Sequence, residues 1–170
     1  MNPKAESKTW RPQERAFSWV KWNERPGKPR SRGLTEIRGP YYSVVGPRYL
    51  EDILETAGDY VDSLKFAAGS FSVIPKKVLE QIIDLCHTHD VLVSTGGWIE
   101  YVLTQGTAAV DHYIEEVKSL GFDILEISAG FISIPVEDWL ALVERAKAEG
   151  LRPKPEVGIQ WGAGGATSVT

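Results

Sequence analysis

Residues 121–130, GFDILEISAG, set an apolar segment between two glycines and include two carboxylates, of which Glu126 interrupts the apolar body. The same arrangement, a short apolar segment running into a charged side chain and a glycine, recurs about every thirty residues along the chain. Stretches with helical periodicity separate the segments. Alternation of this kind predicts four βα units followed by a fifth strand, and therefore a parallel sheet. The other four segments are Leu34–Gly39, Val61–Gly69, Val91–Gly97 and Arg152–Gly158.

Two parallel architectures fit this repeat. The first is an incomplete TIM-type barrel with about five of its eight strands, since eight units of this length need about 240 residues. The alternative is a five-stranded doubly wound sheet, which normally ends in a covering helix. The chain instead ends in a segment rich in glycine, with Gly162, Gly164 and Gly165. We therefore expect an α/β fold that is part of a barrel.

Charge divides the sequence into three parts. Residues 1–33 carry nine Lys or Arg against three Glu and include three tryptophans, whereas residues 34–170 carry ten Lys or Arg against twenty Asp or Glu. We expect a basic arm at 1–33, a βα-repeat domain at 34–158 and a Gly-rich tail at 159–170. Because the acidic body repels phosphate backbones, we expect no nucleic-acid partner. The tryptophans of the arm, Trp10, Trp19 and Trp22, are expected to pack on that body.

The composition is that of an ordinary globular protein, with 42% hydrophobic and 25% charged residues. No apolar run is long enough to cross a bilayer, and the first residues lack the apolar stretch of a secretory signal. We therefore expect a cytoplasmic protein without a membrane partner. A single cysteine, Cys86, excludes an internal disulfide, and His87 and His89 do not have the spacing of helical zinc ligands.

Charged side chains stand near the carboxyl ends of the predicted strands, which share one edge of a parallel sheet. Arg38, Lys65, Glu126 and Glu156 are expected to face this edge. Glu126 and Glu156 occupy equivalent positions of successive units, so both carboxylates can reach one hard cation such as Mg²⁺. Lys65 can neutralise a carboxylate or phosphate, or donate a proton.

A glycine pair, Gly96-Gly97, precedes Glu100 at the start of a predicted helix, where backbone N–H groups attract anions. A structural alternative exists for each of these features. The glycines can simply turn the chain, and the lysine and glutamates can form an ion-pair network at the rim of the sheet. The sequence contains no dinucleotide-binding glycine fingerprint, P-loop or arguable Ser-His-Asp arrangement.

Five ordered segments resemble the phosphosulfolactate synthase family at the family's spacing. They are Arg32-Gly33-Leu34-Thr35, Gly58–Phe66, Gly96-Gly97 with Glu100, Leu120–Ser128 and Glu156-Val157-Gly158. The resemblance implies a TIM-type barrel whose archaeal members use Mg²⁺ to add sulfite to phosphoenolpyruvate, in coenzyme M biosynthesis. It also implies a small phosphorylated carboxylic acid as ligand.

The resemblance further implies roles for individual residues. Lys65 and Glu100 would be catalytic, and Glu126 and Glu156 would be the metal ligands. The substrate would contact Arg38, Gly96, Gly97 and Ser128.

The chain departs from the archaeal pattern at several positions. Archaeal members carry an Asp-Lys pair where this chain has Arg38-Gly39, an acidic residue where Ala129 stands, and lysines at the positions of Ile159 and Gln160. Residues 36–40, EIRGP, are closer to a eukaryotic branch that resembles a plant heat-stress-associated protein. Two hypotheses follow: a carbon–sulfur lyase of the phosphosulfolactate synthase type, or a non-catalytic stress-acclimation or interaction protein on the same scaffold. A partial barrel exposes sheet edges, so we also expect that the chain is a fragment or truncated product, or else that it associates with itself.

Overall fold

Parallel strands and helices alternate along the chain, as the sequence repeat predicts. The structure, a computed structural model, describes residues 16–21, 23, 25–39 and 46–157. Its strands are β1 (Glu36–Gly39), β2 (Ser63–Phe66), β3 (Leu92–Ser94), β4 (Ile124–Ala129) and β5 (Arg152–Val157). Its helices are α1 (Pro47–Ala57), α2 (Lys76–Thr88), α3 (Ile99–Leu103), α4 (Thr107–Leu120) and α5 (Val136–Ala148).

Local sequence signals explain where the helices begin and end. Pro47 stands in the first turn of α1, and α2 and α5 begin directly after Pro75 and Pro135. Helix α4 ends at Gly121, whose φ of 90° suits the left-handed conformation of a helix C-terminus. Each helix then turns an apolar stripe toward the sheet. The stripe of α2, for example, buries Leu79, Ile82, Ile83 and Cys86.

All five strands are parallel and lie in the order β1-β2-β3-β4-β5. A doubly wound sheet reverses its strand order at a switch point, and this sheet does not. The doubly wound alternative is therefore wrong. The chain forms a partial TIM-type barrel, in which every crossover advances in one direction.

The sheet is strongly curved. Four interstrand spacings separate β1 from β5, about 19 Å along a flat sheet. Yet Lys154 Nζ on β5 lies 2.6 Å from Glu36 Oε1 on β1, a gap that these two side chains cannot span on a flat surface. The strands therefore follow the arc of a barrel wall, and the side chains on the concave face point toward one another.

The two faces of the sheet differ sharply in polarity. The face toward the helices is apolar and forms the core with them; its strand residues are Ile37, Leu64, Phe66, Val93, Leu125 and Ile127. The alternate residues form the concave polar face, which contains Glu36, Ser63, Lys65, Ser94, Glu126, Ser128, Lys154 and Glu156. Barrel interiors are usually filled by bulky aliphatic side chains, so a charged concave face is a feature that needs explanation.

The described residues of the N-terminal arm contact the body through cations. Arg30 and Arg25 pair with Asp62 at the amino-terminal end of β2, at 2.9 and 3.4 Å. Lys28 Nζ donates to the carbonyl oxygens of Gly58 (3.0 Å) and His89 (2.5 Å), where α1 and α2 end.

Trp19 is 81% exposed, so the expectation that it packs on the body is wrong. Trp10, Trp22, Gly158 and the tail at 159–170 lie outside the described residues. Within the described part of the chain, no helix combines the length and apolar character needed to cross a membrane.

Candidate functional site

Lys65 lies at the centre of the concave polar face, between two carboxylates. Its Nζ is 2.6 Å from Glu126 Oε1 on β4, and it donates to Glu156 Oε2 on β5 at 2.8 Å. The lysine side chain is 7% exposed and that of Glu126 only 1%, whereas that of Glu156 is 39% exposed. The three side chains predicted to meet at the strand ends therefore do meet, and one of them opens to solvent.

A second lysine extends this group. Lys154 Nζ lies 3.2 Å from Glu126 Oε2 and 2.6 Å from Glu36 Oε1, and Ser63 Oγ donates to Glu36 Oε2 at 3.1 Å. We call the five charged residues, Glu36, Lys65, Glu126, Lys154 and Glu156, the rim cluster. Odd strands supply the Glu36–Lys154 pair and even strands the Lys65–Glu126 pair, the alternate-strand layering of a barrel interior.

Burial and ion pairing shift the pKa values of the rim-cluster side chains in opposite directions. Burial alone would lower the pKa of Lys65, but its interactions with Glu126 and Glu156 outweigh burial and raise that pKa above its ordinary value. Burial raises the pKa of Glu126, and the two nearby lysines offset this only in part. The hydrogen bond from Lys65 lowers the pKa of the more exposed Glu156. The cluster thus holds a charged lysine beside a carboxylate that accepts a proton readily.

One oxygen of the rim cluster is incompletely satisfied. Glu126 Oε2 is buried and has no hydrogen-bond partner among the described residues, although the Lys154 ammonium lies 3.2 Å away. A buried carboxylate oxygen in this state is costly in a purely structural ion pair. The arrangement is better suited to a site that a ligand or a cation completes.

The predicted magnesium ligands, Glu126 and Glu156, converge on the ammonium of Lys65. Among the residues that the structure describes, no group of three or more His, Cys, Asp or Glu side chains is placed to hold a metal. Mg²⁺ commonly takes only one or two carboxylates and completes its shell with water and substrate oxygens. Glu126 and Glu156 are thus oxygen donors of the kind that Mg²⁺ takes, and in this structure both are paired with Lys65.

Glu100 is placed differently from the rim cluster. Its carboxylate is buried at the start of α3 and accepts hydrogen bonds from Ser128 Oγ and from three backbone N–H groups of the β4–α5 loop. The predicted catalytic carboxylate thus binds this loop, and its two oxygens are already occupied by donors.

Gly96 and Gly97 make room for close approaches at the end of β3. A Cβ on Gly96, whose φ is 62°, would lie 2.0 Å from the carbonyl oxygen of Phe66. A Cβ on Gly97 would lie 2.7 Å from Ser128 Oγ and 3.7 Å from Glu126 Oε1. Ser128 and Glu126 therefore both lie close to Gly97, and three of the predicted substrate contacts, Gly96, Gly97 and Ser128, lie together.

Arg38 lies two residues after Glu36 on β1, in register with Lys65. Alternation along the strand places it on the concave side with Glu36. The predicted group of Arg38, Lys65, Glu126 and Glu156 thus shares one face of the sheet.

The sequence analysis missed Lys154, Glu36 and Ser63. Each stands two residues from a residue that the analysis did select, Glu156, Arg38 and Lys65, and residues i and i+2 of a strand share a face. Period-two spacing around each selected residue was the signal that pointed to them.

The chain resembles known proteins over most of its length. Residues 23–169 match the family model described as (2R)-phospho-3-sulfolactate synthase. Protein HEAT-STRESS-ASSOCIATED 32 of Arabidopsis thaliana is 44% identical over 148 residues, which are 85% of this chain and 52% of that protein. Phosphosulfolactate synthase of Methanothermobacter thermautotrophicus is 34% identical over 134 residues, 79% of this chain and 50% of that protein. The chain thus spans about half the length of these relatives.

Proposed function

Because the chain belongs to the (2R)-phospho-3-sulfolactate synthase family, we propose that its concave polar face binds a small phosphorylated carboxylic acid. The chemistry that we propose for this face is the Mg²⁺-dependent addition of sulfite to phosphoenolpyruvate. The observation that carries the proposal is a buried lysine held between two carboxylates, beside a carboxylate oxygen without a hydrogen bond.

Energetics favour a site over a structural network. Buried ion pairs rarely stabilise a fold more than well-packed apolar side chains do, because each ion loses its hydration. The rim cluster gathers five charges where a barrel usually packs aliphatic side chains. Charged groups whose pKa values are shifted by burial and by specific charged partners are typical of functional sites.

Each participant in the proposed reaction has a defined role. The sulfur lone pair of sulfite forms the carbon–sulfur bond at the methylene carbon of phosphoenolpyruvate, and the double-bond electrons move toward the carboxylate. A proton from Lys65 then adds to the adjacent carbon, which retains its phosphate ester, and solvent reprotonates the lysine. Mg²⁺, held by Glu126 and Glu156 together with substrate oxygens, would stabilise the charge that builds on the carboxylate.

Turnover by the purified chain tests this proposal. With phosphoenolpyruvate, sulfite and Mg²⁺, we expect a sulfonated product and a rate about 10²–10⁴-fold lower for Lys65→Met, as for the loss of a general acid. Lys147→Met is the matched control, since Lys147 forms an exposed pair with Glu144 on α5. Equal rates for wild type and Lys65→Met would contradict the role of Lys65.

A second candidate function is a non-catalytic role in stress acclimation. It is favoured by the 44% identity to a protein named for heat stress and by Arg38 and Ala129 at positions where archaeal members carry other residues. This candidate predicts that phosphoenolpyruvate binds without being converted, or does not bind. Thermal stabilisation by phosphoenolpyruvate without sulfonated product would therefore favour a binding protein over an enzyme.

A further inference from the structure

The loop between β4 and α5 surrounds a carboxylate with hydrogen-bond donors. Glu100 Oε1 accepts from Ser128 Oγ at 2.6 Å and from the Gly130 N–H at 3.1 Å. Glu100 Oε2 accepts from the Phe131 N–H at 2.6 Å and from the Ile132 N–H at 3.1 Å. Three consecutive amides and one hydroxyl thus converge on one anion, and each oxygen receives two donors.

These four donors form a cradle, defined here as Ser128 Oγ and the backbone N–H groups of residues 130–132. Consecutive backbone amides that point inward make an anion-binding concavity, and hydrogen bonds to an ionised acceptor are the stronger kind. The occupant comes from another element, because Glu100 belongs to the five-residue helix α3. Glu100 is 7% exposed and Ser128 is 5% exposed, so the contact is shielded from water.

The cradle borders the rim cluster. A Cβ on Gly97 would lie 2.7 Å from Ser128 Oγ, a donor of the cradle, and 3.7 Å from Glu126 Oε1 of the rim cluster, so both oxygens lie near the same point. An anion of more than one charged group can therefore approach the lysines of the rim cluster with one end and the cradle with the other.

We propose that the cradle is a carboxylate-binding site, which the chain fills with its own Glu100 when no ligand is bound. Two donors on each oxygen match the planar, two-oxygen shape of a carboxylate better than that of a tetrahedral phosphate. The identity of the natural ligand rests on the proposed function: the carboxylate of the phosphorylated acid would replace the Glu100 carboxylate in the cradle. The site itself is inferred only from the four hydrogen bonds to Glu100.

Removing the internal anion provides the test. Glu100→Ala leaves four donors around a space of carboxylate size, which formate can enter. In ¹⁵N-labelled Glu100→Ala we expect formate to shift the amide resonances of Gly130, Phe131 and Ile132 saturably and to raise Tm, relative to chloride at equal ionic strength. Wild type should need about tenfold more formate, because Glu100 competes.

Three further titrations test whether the site prefers carboxylates and whether the response is specific to the cradle. Inorganic phosphate should bind Glu100→Ala more weakly than formate; stronger binding of phosphate would overturn the assignment to carboxylates. Adding Ser128→Ala to Glu100→Ala should weaken formate binding about tenfold, the effect of losing one hydrogen bond to a charged group. Glu115→Ala removes a carboxylate that is 75% exposed on α4 and should give no response at residues 130–132.

If Glu100→Ala folds and formate does not shift the amide resonances of residues 130–132, the proposal is overturned. Glu100 would then have only a structural role. If Glu100→Ala does not fold, Glu100→Asp withdraws the carboxylate by one methylene, and the same titration decides. None of these measurements involves phosphoenolpyruvate or turnover. Their failure is therefore distinct from a failure of the proposed function.

Discussion

Two buried charge clusters, one at the amino-terminal edge of the sheet and the rim cluster within its concave face, differ in how completely their groups are satisfied. At the amino-terminal end, Asp62 Oδ1 pairs with Arg30, and Asp62 Oδ2 accepts from the Thr35 N–H at 2.7 Å. Arg30 also donates to the carbonyl oxygens of Pro26 and Asp59. In the rim cluster, Glu126 keeps one oxygen without a hydrogen bond, and Glu156 is partly open to solvent.

The difference indicates that one cluster stabilises the fold and the other can bind a ligand. The Asp62 carboxylate is held by several fixed partners, a pairing that stabilises the fold and leaves this carboxylate little to offer a ligand. In barrels, the amino-terminal ends of the strands commonly serve stability and the carboxyl ends chemistry. The Asp62 cluster lies at the amino-terminal ends and fits the first role, whereas Lys65 and Glu156 of the rim cluster lie toward the carboxyl ends of β2 and β5 and fit the second. Four substitutions test this contrast.

Asp62→Ala is expected to have the largest effect on stability. It leaves the Arg30 guanidinium, 6% exposed, without its carboxylate and the Thr35 N–H without its acceptor. Removing one partner of a buried pair costs about 3–5 kcal/mol. Urea unfolding at pH 7 measures the loss. A loss below about 1 kcal/mol would show that the amino-terminal cluster is not structural.

Lys65→Met is expected to lower the free energy of unfolding less than Asp62→Ala does, but to weaken phosphoenolpyruvate binding. We expect a loss of about 3 kcal/mol, at the lower end for buried pairs, because Lys154 still contacts Glu126. Adding Glu126→Leu should recover most of this loss in urea unfolding, since apolar replacement of a buried pair is often neutral. The double variant should still fail to bind phosphoenolpyruvate. Recovery of both stability and binding would mean that the lysine has only a structural role.

Gly97→Ala should lower the free energy of unfolding less than Lys65→Met does, and its structural effect should be confined to the surroundings of Ser128 and Glu100. The new methyl carbon would lie 2.7 Å from Ser128 Oγ, so the hydroxyl must move away from its contact with Glu100. We expect a loss of about 1–2 kcal/mol in urea unfolding, a typical overpacking cost, together with shifted amide resonances at residues 130–132.

Gly46→Ala provides the control for this substitution. A Cβ at Gly46 meets no atom within 4 Å, and φ is −88°, which alanine adopts freely. Equal stability losses for Gly97→Ala and Gly46→Ala would contradict the close approach at Gly97.

Glu156→Gln should have the smallest effect, and one that depends on pH. The folded-state pKa of Glu156 lies below its ordinary value of 4.5, so its pairing contributes stability that is complete above pH 4.5. This contribution is lost as the pH falls through the folded-state pKa. Because Glu156 is 39% exposed, we expect the variant to be less stable at pH 7 by under about 1 kcal/mol and to converge with wild type in acid. A difference that grows in acid would contradict the pairing.

Much of the fold follows from local sequence signals. Strand β4 is flanked by Gly121 and Gly130, and prolines precede α2 and α5, so the order and type of these elements were predictable. The choice of barrel over doubly wound sheet was less accessible. It depends on strand order and curvature, which contacts such as Lys154–Glu36, 118 residues apart in the chain, reveal.

Part of the site was also predictable from local sequence signals. Lys65, Glu126 and Glu156 stand near strand ends, where parallel topology brings side chains together. Lys154 was missed because Pro153 and Pro155 obscure the strand pattern of β5. The placement of Glu100 could not be predicted, because its partners are backbone amides some thirty residues away, and backbone amides carry no sequence signature.

Calorimetric titration of phosphoenolpyruvate at pH 7 tests the central claim, that the buried lysine of the concave polar face is part of an anion site. The account predicts saturable binding to wild type and to Lys147→Met, and binding at least about tenfold weaker to Lys65→Met, the effect of removing one charged contact. Binding of equal strength to a folded Lys65→Met chain would contradict it.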